Sequence, residues 1–141
     1  MATKPSTHKD YPDAPRILLP PPQMEGGTGL WDLLRTRRSV RSYDGQPLSI
    51  EALSQLLWAT DGATRQGGGY IFRTAPSAGA LYPIETYLAI HDVEGIPQGL
   101  YHYQVREHAL AQLAEGDQRL AVAAAALDQG MAADADVVFL W

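Results

Sequence analysis

A chain of 141 residues with 45% hydrophobic side chains can bury one core of ordinary size but not two, and 19% charged residues with unperiodic Gly and Pro exclude disordered or collagen-like composition. The formal net charge of −5 argues against a general nucleic-acid surface, and the absence of cysteine removes disulfides, thiolate metal sites and cysteine nucleophiles. No run approaches the roughly 18 consecutive apolar residues of a membrane span, and the first thirty residues lack a signal-peptide pattern, so the expectation is a cytoplasmic protein with neither nucleic acid nor membrane as partner.

Residues 1–27 hold six prolines (Pro5, Pro12, Pro15, Pro20, Pro21, Pro22) and the Gly26-Gly27 pair, which reads as an extended proline-rich arm. Its apolar patch, Ile17-Leu18-Leu19, is either part of a poorly ordered tail or a polyproline II segment lying on a partner. The domain proper is read as 28–141. Leu30, Trp31, Leu33 and Leu34 recur at helical spacing and lead into Arg35, Arg37, Arg38 and Arg41, predicting a helix over 28–37 with cations in its last turn. After a turn at Asp44-Gly45, Ser49 is placed to cap a helix over 51–59, with Leu53, Leu56 and Leu57 on one face. Residues 61–79 carry so much Gly, Pro and Ser that they read as one long loop. A strand follows over 85–91, then a hairpin of 99–105 and 109–113 around Arg106-Glu107-His108. A helix over 120–127 precedes the apolar run Val137–Leu140, which reads as a buried strand. This strand has nothing after it to cover or pair it, so the expectation is a domain lacking its C-terminal part. The remainder would come from a companion chain, a longer parent or a neighbouring copy.

Two constellations carry candidate chemistry. In an otherwise acidic chain, Arg37, Arg38 and Arg41 sit among Thr36, Ser39, Ser42 and Tyr43, and guanidinium forks with neighbouring hydroxyls match a terminal phosphate. The alternative is a solvated cationic helix end that balances the macrodipole. Second, Arg73-Thr74-Ala75-Pro76-Ser77-Ala78-Gly79-Ala80-Leu81-Tyr82-Pro83 is rich in small residues that let a flat ligand approach the backbone, with prolines to stiffen it. The alternative there is a tight loop-to-strand transition. The four histidines (His8, His91, His102, His108) show no metal-ligand spacing, so no metal is expected. Asp134 and Asp136 read as loop residues, Ser77 lacks a nucleophile-elbow context, and Tyr82, Tyr101 and Tyr103 are either pocket or core aromatics. No catalytic acid or base stands out.

The ordered series Arg37-Arg38-Ser39-Val40-Arg41-Ser42-Tyr43, then Pro47 to Gly62, then Arg73 to Glu85, with Gly99-Leu100-Tyr101-His102-Tyr103 beyond, resembles the nitroreductase superfamily and in particular its SagB-type dehydrogenase branch. The resemblance runs from about residue 28 to the end. It implies an α+β nitroreductase-like fold with helices flanking a mostly antiparallel sheet, and an FMN-dependent oxidoreductase, with NAD(P)H as a candidate electron donor. By the same resemblance Arg37, Arg38, Ser39 and Arg41 would hold the FMN phosphate and ribityl chain. Pro76, Ser77, Ala78, Gly79 and Leu81 would meet the flavin ring, commonly across a homodimer interface. Many relatives place an Asn in that second loop, and here there is none. The implied reaction is a two-electron hydride transfer through flavin N5, involving a small nitro- or quinone-like molecule or a peptide azoline. The rival reading is a non-catalytic half-domain that dimerises or binds a peptide without flavin.

Overall fold

The computed structural model describes residues 8–141, and expectations for residues 1–7 of the arm lie outside them. In chain order the elements are β1 (Arg16–Leu18), α1 (Leu30–Thr36), α2 (Ile50–Asp61), β2 (Ala63–Gly67), β3 (Tyr70–Arg73) and β4 (Tyr87–Ile90). They continue with β5 (Gly99–Gln104), β6 (Ala109–Glu115), α3 (Arg119–Ala125), α4 (Gly130–Asp134) and β7 (Val137–Leu140). Strands β1-β6-β5-β4-β7 form one sheet in that order, every neighbouring pair antiparallel, and β2-β3 form a separate antiparallel hairpin. This is the expected α+β architecture.

Strand alternation decides what the central sheet presents to each side. On β5, Tyr101 and Tyr103 join Leu53 and Leu57 of α2, Leu88 and Ile90 of β4 and Leu110 of β6 in the core. The intervening His102 and Gln104 face the other way, yet are also buried. That second face is covered by the N-terminal segment. The Asp10 carboxylate accepts from Gln104 Nε2 at 3.0 Å and Arg16 at 2.9 Å, while the Tyr11 and Tyr87 rings each lie 5.1 Å from the His102 ring. Gln104 Nε2 thus obtains its partner from a strap, while Gln104 Oε1 and His102 Nδ1 are buried without one among the described residues.

Ser49 caps α2 as its spacing predicts, its hydroxyl accepting from Ala52 N–H at 3.1 Å. By contrast, every residue of α1 is exposed, including Leu30, Trp31, Leu33 and Leu34. The turn at 44–46 forms through Gln46 N–H donating to the Asp44 side chain.

Four regions differ from the sequence reading. Residues 61–79 are not one loop, because 63–73 close into the β2-β3 hairpin over Gly68 and Gly69, whose φ values of 58° and 81° suit a two-residue turn that other residues resist. Residues 16–18, expected in the arm, pair with β6 of the same chain, and Leu19 is buried in the core. Val137–Leu140, expected to lack a pairing partner, is hydrogen-bonded to β4 with Val137 opposite Ile90 and Leu140 opposite Tyr87. The short α4 was not anticipated. Among the described residues, no helix is long and apolar enough to cross a membrane.

Candidate functional site

The arginine cluster begins where α1 ends, with Arg37 as the C-terminal cap residue. Arg38 donates to the carbonyls of Arg35 at 3.2 Å and Arg37 at 2.9 Å, and Arg37 reaches the Ser39 hydroxyl at 3.4 Å. Arg38 therefore does satisfy helix-end carbonyls, as the structural alternative requires, but through one nitrogen of its fork. Among the described residues, Arg35 is neutralised by Asp32 at 3.0 Å, whereas Arg37, Arg38 and Arg41 make no ion pair. All three are exposed with Ser39 beside them. The chain thus leaves a local positive charge uncompensated, which an anion can occupy.

The second constellation folds into a strained turn. Ala78–Ala80 make a single 3₁₀ turn in which Gly79 has φ 63°, and the non-glycine residues Ala80 and Tyr82 sit at φ 52° and 43°. Left-handed backbone at such residues costs about 1–2 kcal/mol each and persists only where surroundings enforce it. Here the surroundings are hydrogen bonds. Tyr82 N–H donates to the Ser77 hydroxyl at 2.8 Å, and Arg73 N–H donates to the Tyr82 hydroxyl at 3.2 Å. The Arg73 guanidinium lies 4.5 Å from the Tyr82 ring centre and is clamped by Asp61 at 2.6 Å, the two charged side chains being 1% and 9% exposed. Burial raises the Asp61 carboxyl above its ordinary range, against the pull of Arg73.

Pro76 and Ser77 line a cavity of about 180 Å³ together with Asp61, Tyr82, Ile84 and Trp141. Ala78, Gly79 and Leu81 are outside that lining and exposed, and Arg37, Arg38, Ser39 and Arg41 are not part of it either. The two constellations therefore do not share this cavity. Sequence reasoning missed Asp61 and Trp141. Asp61 sits in an apparent Asp-Gly turn signal, and its pairing with Arg73 across the unrecognised hairpin had no local signature.

On the opposite face, a cavity of about 250 Å³ is lined by His8, Lys9, Asp10, Glu85, His102 and Arg106 among others. His102 Nε2 lies 3.0 Å from the Glu85 carboxylate, and this bond holds the carboxyl below its usual range. Lys9 donates to the Tyr87 hydroxyl at 2.7 Å. Among the described residues, no group of three or more His, Cys, Asp or Glu is placed to hold a metal ion.

A part-buried relay links the strap to the core. The Ser54 hydroxyl donates to the Pro20 carbonyl at 2.6 Å, so at 2.7 Å it must accept from His108 Nε2–H. His108 Nδ1 is then the acceptor for the Tyr103 hydroxyl at 2.7 Å. Burial lowers the His108 pKa below 6.5, in keeping with a neutral ring satisfied at both nitrogens. The unfolded chain therefore binds a proton that the native state resists. Stability from this group is full above pH 6.5 and is lost as pH falls through the lowered native value. Thermal midpoints measured between pH 5.5 and 7 should fall on acidification in the wild type. His108→Asn, which tolerates the φ of 50° at this position, should show a flatter acid limb from a lower starting stability. Parallel limbs would remove His108 from the account.

Comparison with known proteins places the chain in a family. The nitroreductase family pattern matches residues 34–141. The chain is 40% identical over 111 residues to the nitroreductase-family protein MJ1384 of Methanocaldococcus jannaschii, covering 79% of this chain and 54% of that protein. It is also 46% identical over 44 residues to the trifolitoxin-processing protein TfxB of Rhizobium leguminosarum bv. trifolii, covering 30% of this chain and 12% of that one. A crystal structure of a nitroreductase-family protein from Ralstonia eutropha matches with a TM-score of 0.65 at 38% identity, over 76% of this chain and 47% of that chain. Another from Anabaena variabilis matches with a TM-score of 0.68 at 25% identity, over 91% and 27% respectively. The chain spans about half the length of MJ1384 and of the Ralstonia protein. With the antiparallel sheet, the α2 cover and the matched segment in agreement, the chain belongs to the nitroreductase family.

Proposed function

We propose that the protein is an FMN-dependent oxidoreductase in which the arginine cluster holds the flavin phosphate and the Pro76–Leu81 loop meets the ring. The observation that carries this reading is the set Arg37, Arg38 and Arg41, exposed and without ion pairs among the described residues, in a chain of net charge −5. Their chemistry fits a phosphate, and the stiffened small-residue loop fits a flat ring. When bound, FMN supplies two-electron hydride chemistry, with NAD(P)H the candidate donor. The chain's own residues then fix the phosphate and shape the ring contact.

The two half-sites do not share the cavity beside Ser77, and α1 exposes Leu30, Trp31, Leu33 and Leu34. Both observations support a homodimer, or a companion chain, in which the phosphate site of one chain faces the loop of another. The substrate is a small nitro- or quinone-like molecule or, in a SagB-type dehydrogenase, a peptide azoline. The test is reconstitution: the protein incubated with FMN and desalted should retain a yellow flavin band, and light scattering should give the mass of a dimer. A colourless monomer would instead favour the flavin-free binding module.

A further inference from the structure

We propose that the cavity of about 250 Å³ on the strap-covered face of the sheet is a binding site for a small neutral molecule carrying a primary carboxamide. This site is independent of the flavin reading. Three buried side-chain atoms have no hydrogen-bond partner among the described residues: Arg73 Nε, His102 Nδ1 and Gln104 Oε1. All three residues line this cavity, and they are 7%, 1% and 4% exposed. Buried polar groups are costly to leave unpaired, so three of them around one cavity specify what an occupant must supply.

Each atom states its need. Arg73 Nε–H can only donate. Gln104 Oε1 is the acceptor end of an amide whose Nε2 already donates to Asp10 at 3.0 Å. His102 Nε2 donates to the Glu85 carboxylate at 3.0 Å, so Nδ1 of the neutral ring is also an acceptor. The lining therefore asks for one acceptor and two donors. An anion would serve Arg73 alone and would meet Glu85. A cation would leave Arg73 Nε–H unpaired, and among the described residues no group of three or more His, Cys, Asp or Glu is placed to hold a metal ion. The exposed rim carries both signs, Lys9 and Arg106 with Asp10 and Glu107, so it selects neither charge. An apolar molecule would satisfy none of the three atoms. A primary carboxamide offers its carbonyl to Arg73 and two N–H donors to Gln104 and His102. The three atoms are covered in this structure, so the ligand enters beneath the exposed rim side chains. The cavity is several times the roughly 30 Å³ that one water occupies, which leaves room for the rest of such a molecule.

The test titrates the wild-type chain, without FMN, with propionamide, propionate and propylammonium, and follows the backbone amides of residues 102–106 and the Gln104 side-chain amide by heteronuclear NMR. Propionamide should shift these signals saturably, with a Kd on the order of millimolar, and the two ions should bind at least about fivefold more weakly. Gln104→Met, which removes one acceptor and keeps the side-chain length, should weaken propionamide by about fivefold. If that variant does not fold, the ranking of the three ligands on the wild type decides. Propionate or propylammonium binding as tightly as propionamide would overturn the assignment, because the rim charges would then govern the site. Unchanged affinity in a folded Gln104→Met would overturn it too, as would shifts confined to other parts of the chain. No saturable shift up to roughly 100 mM would show that the cavity holds water only.

Discussion

Asp61→Ala should destabilise the fold by about 3–5 kcal/mol, the cost of leaving a buried guanidinium without its counter-charge. Arg73 is 1% exposed at its side chain and bonds Asp61 at 2.6 Å, while its Nε has no partner. The other polar contact of its guanidinium is a long one, Nη2 to His8 Nδ1 at 3.5 Å. The pair itself need not contribute net stability. Burial raises the Asp61 carboxyl above its usual range, which means that ionising it in the native state is already costly. Replacing both partners by apolar side chains, as in Asp61→Leu/Arg73→Met, should therefore cost less than Asp61→Ala alone. Chemical denaturation of the three proteins checks this. A single-variant loss below about 1 kcal/mol would show that Arg73 finds another partner, and a double variant worse than the single would show that the charges themselves stabilise.

This pair also marks where the sequence stops being legible. Elements whose signals are local were readable: Ser49 announces α2, whose Leu53 and Leu57 are buried, and the alternating apolar runs give β4, β5, β6 and β7. What failed depended on distant partners. β2 is polar and exposed along most of its length, so it lacks the apolar alternation by which a strand is recognised, and Gly68-Gly69 carried the only hairpin signal. β1 is three residues long, set among prolines, and exists because β6 offers an edge. For the site, the arginine cluster and the Pro76–Leu81 loop were visible as chemistry. That Asp61 and Arg73 underpin Tyr82 became visible only once α2 and β3 were side by side.

The same logic explains why the strain at Ala80 and Tyr82 is bearable. Stability comes from the α2 and β4-β5-β6 core, where Leu53, Leu57, Leu88, Tyr101 and Leu110 are fully buried. The loop sits at the rim of that core, and the arginine cluster lies on a segment, 23–47, that is exposed throughout. Changes there should affect ligand binding far more than folding.

Arg38→Ala should accordingly weaken FMN binding by about 1.5–3 kcal/mol, or roughly 10- to 150-fold, the usual scale for a hydrogen bond to a charged group. Arg37→Ala should act in the same direction. Riboflavin, which is FMN without its phosphate, should bind the variants and the wild type alike, because the arginines are assigned to the phosphate and to nothing on the ring. The wild-type preference for FMN over riboflavin should also shrink as salt rises, since the cluster is exposed and screened by ions. Arg119→Ala is the control: that residue is a cation paired with Asp117 at 2.6 Å and lies outside both half-sites, so FMN affinity should not change. Because Arg38 also satisfies the carbonyls of Arg35 and Arg37, a small loss of α1 helicity is expected with it. Helix loss alone, however, would weaken both ligands equally. Equal weakening of FMN and riboflavin would therefore assign Arg38 to the helix end, and an unchanged FMN affinity in both arginine variants would remove the phosphate site from residues 37–41.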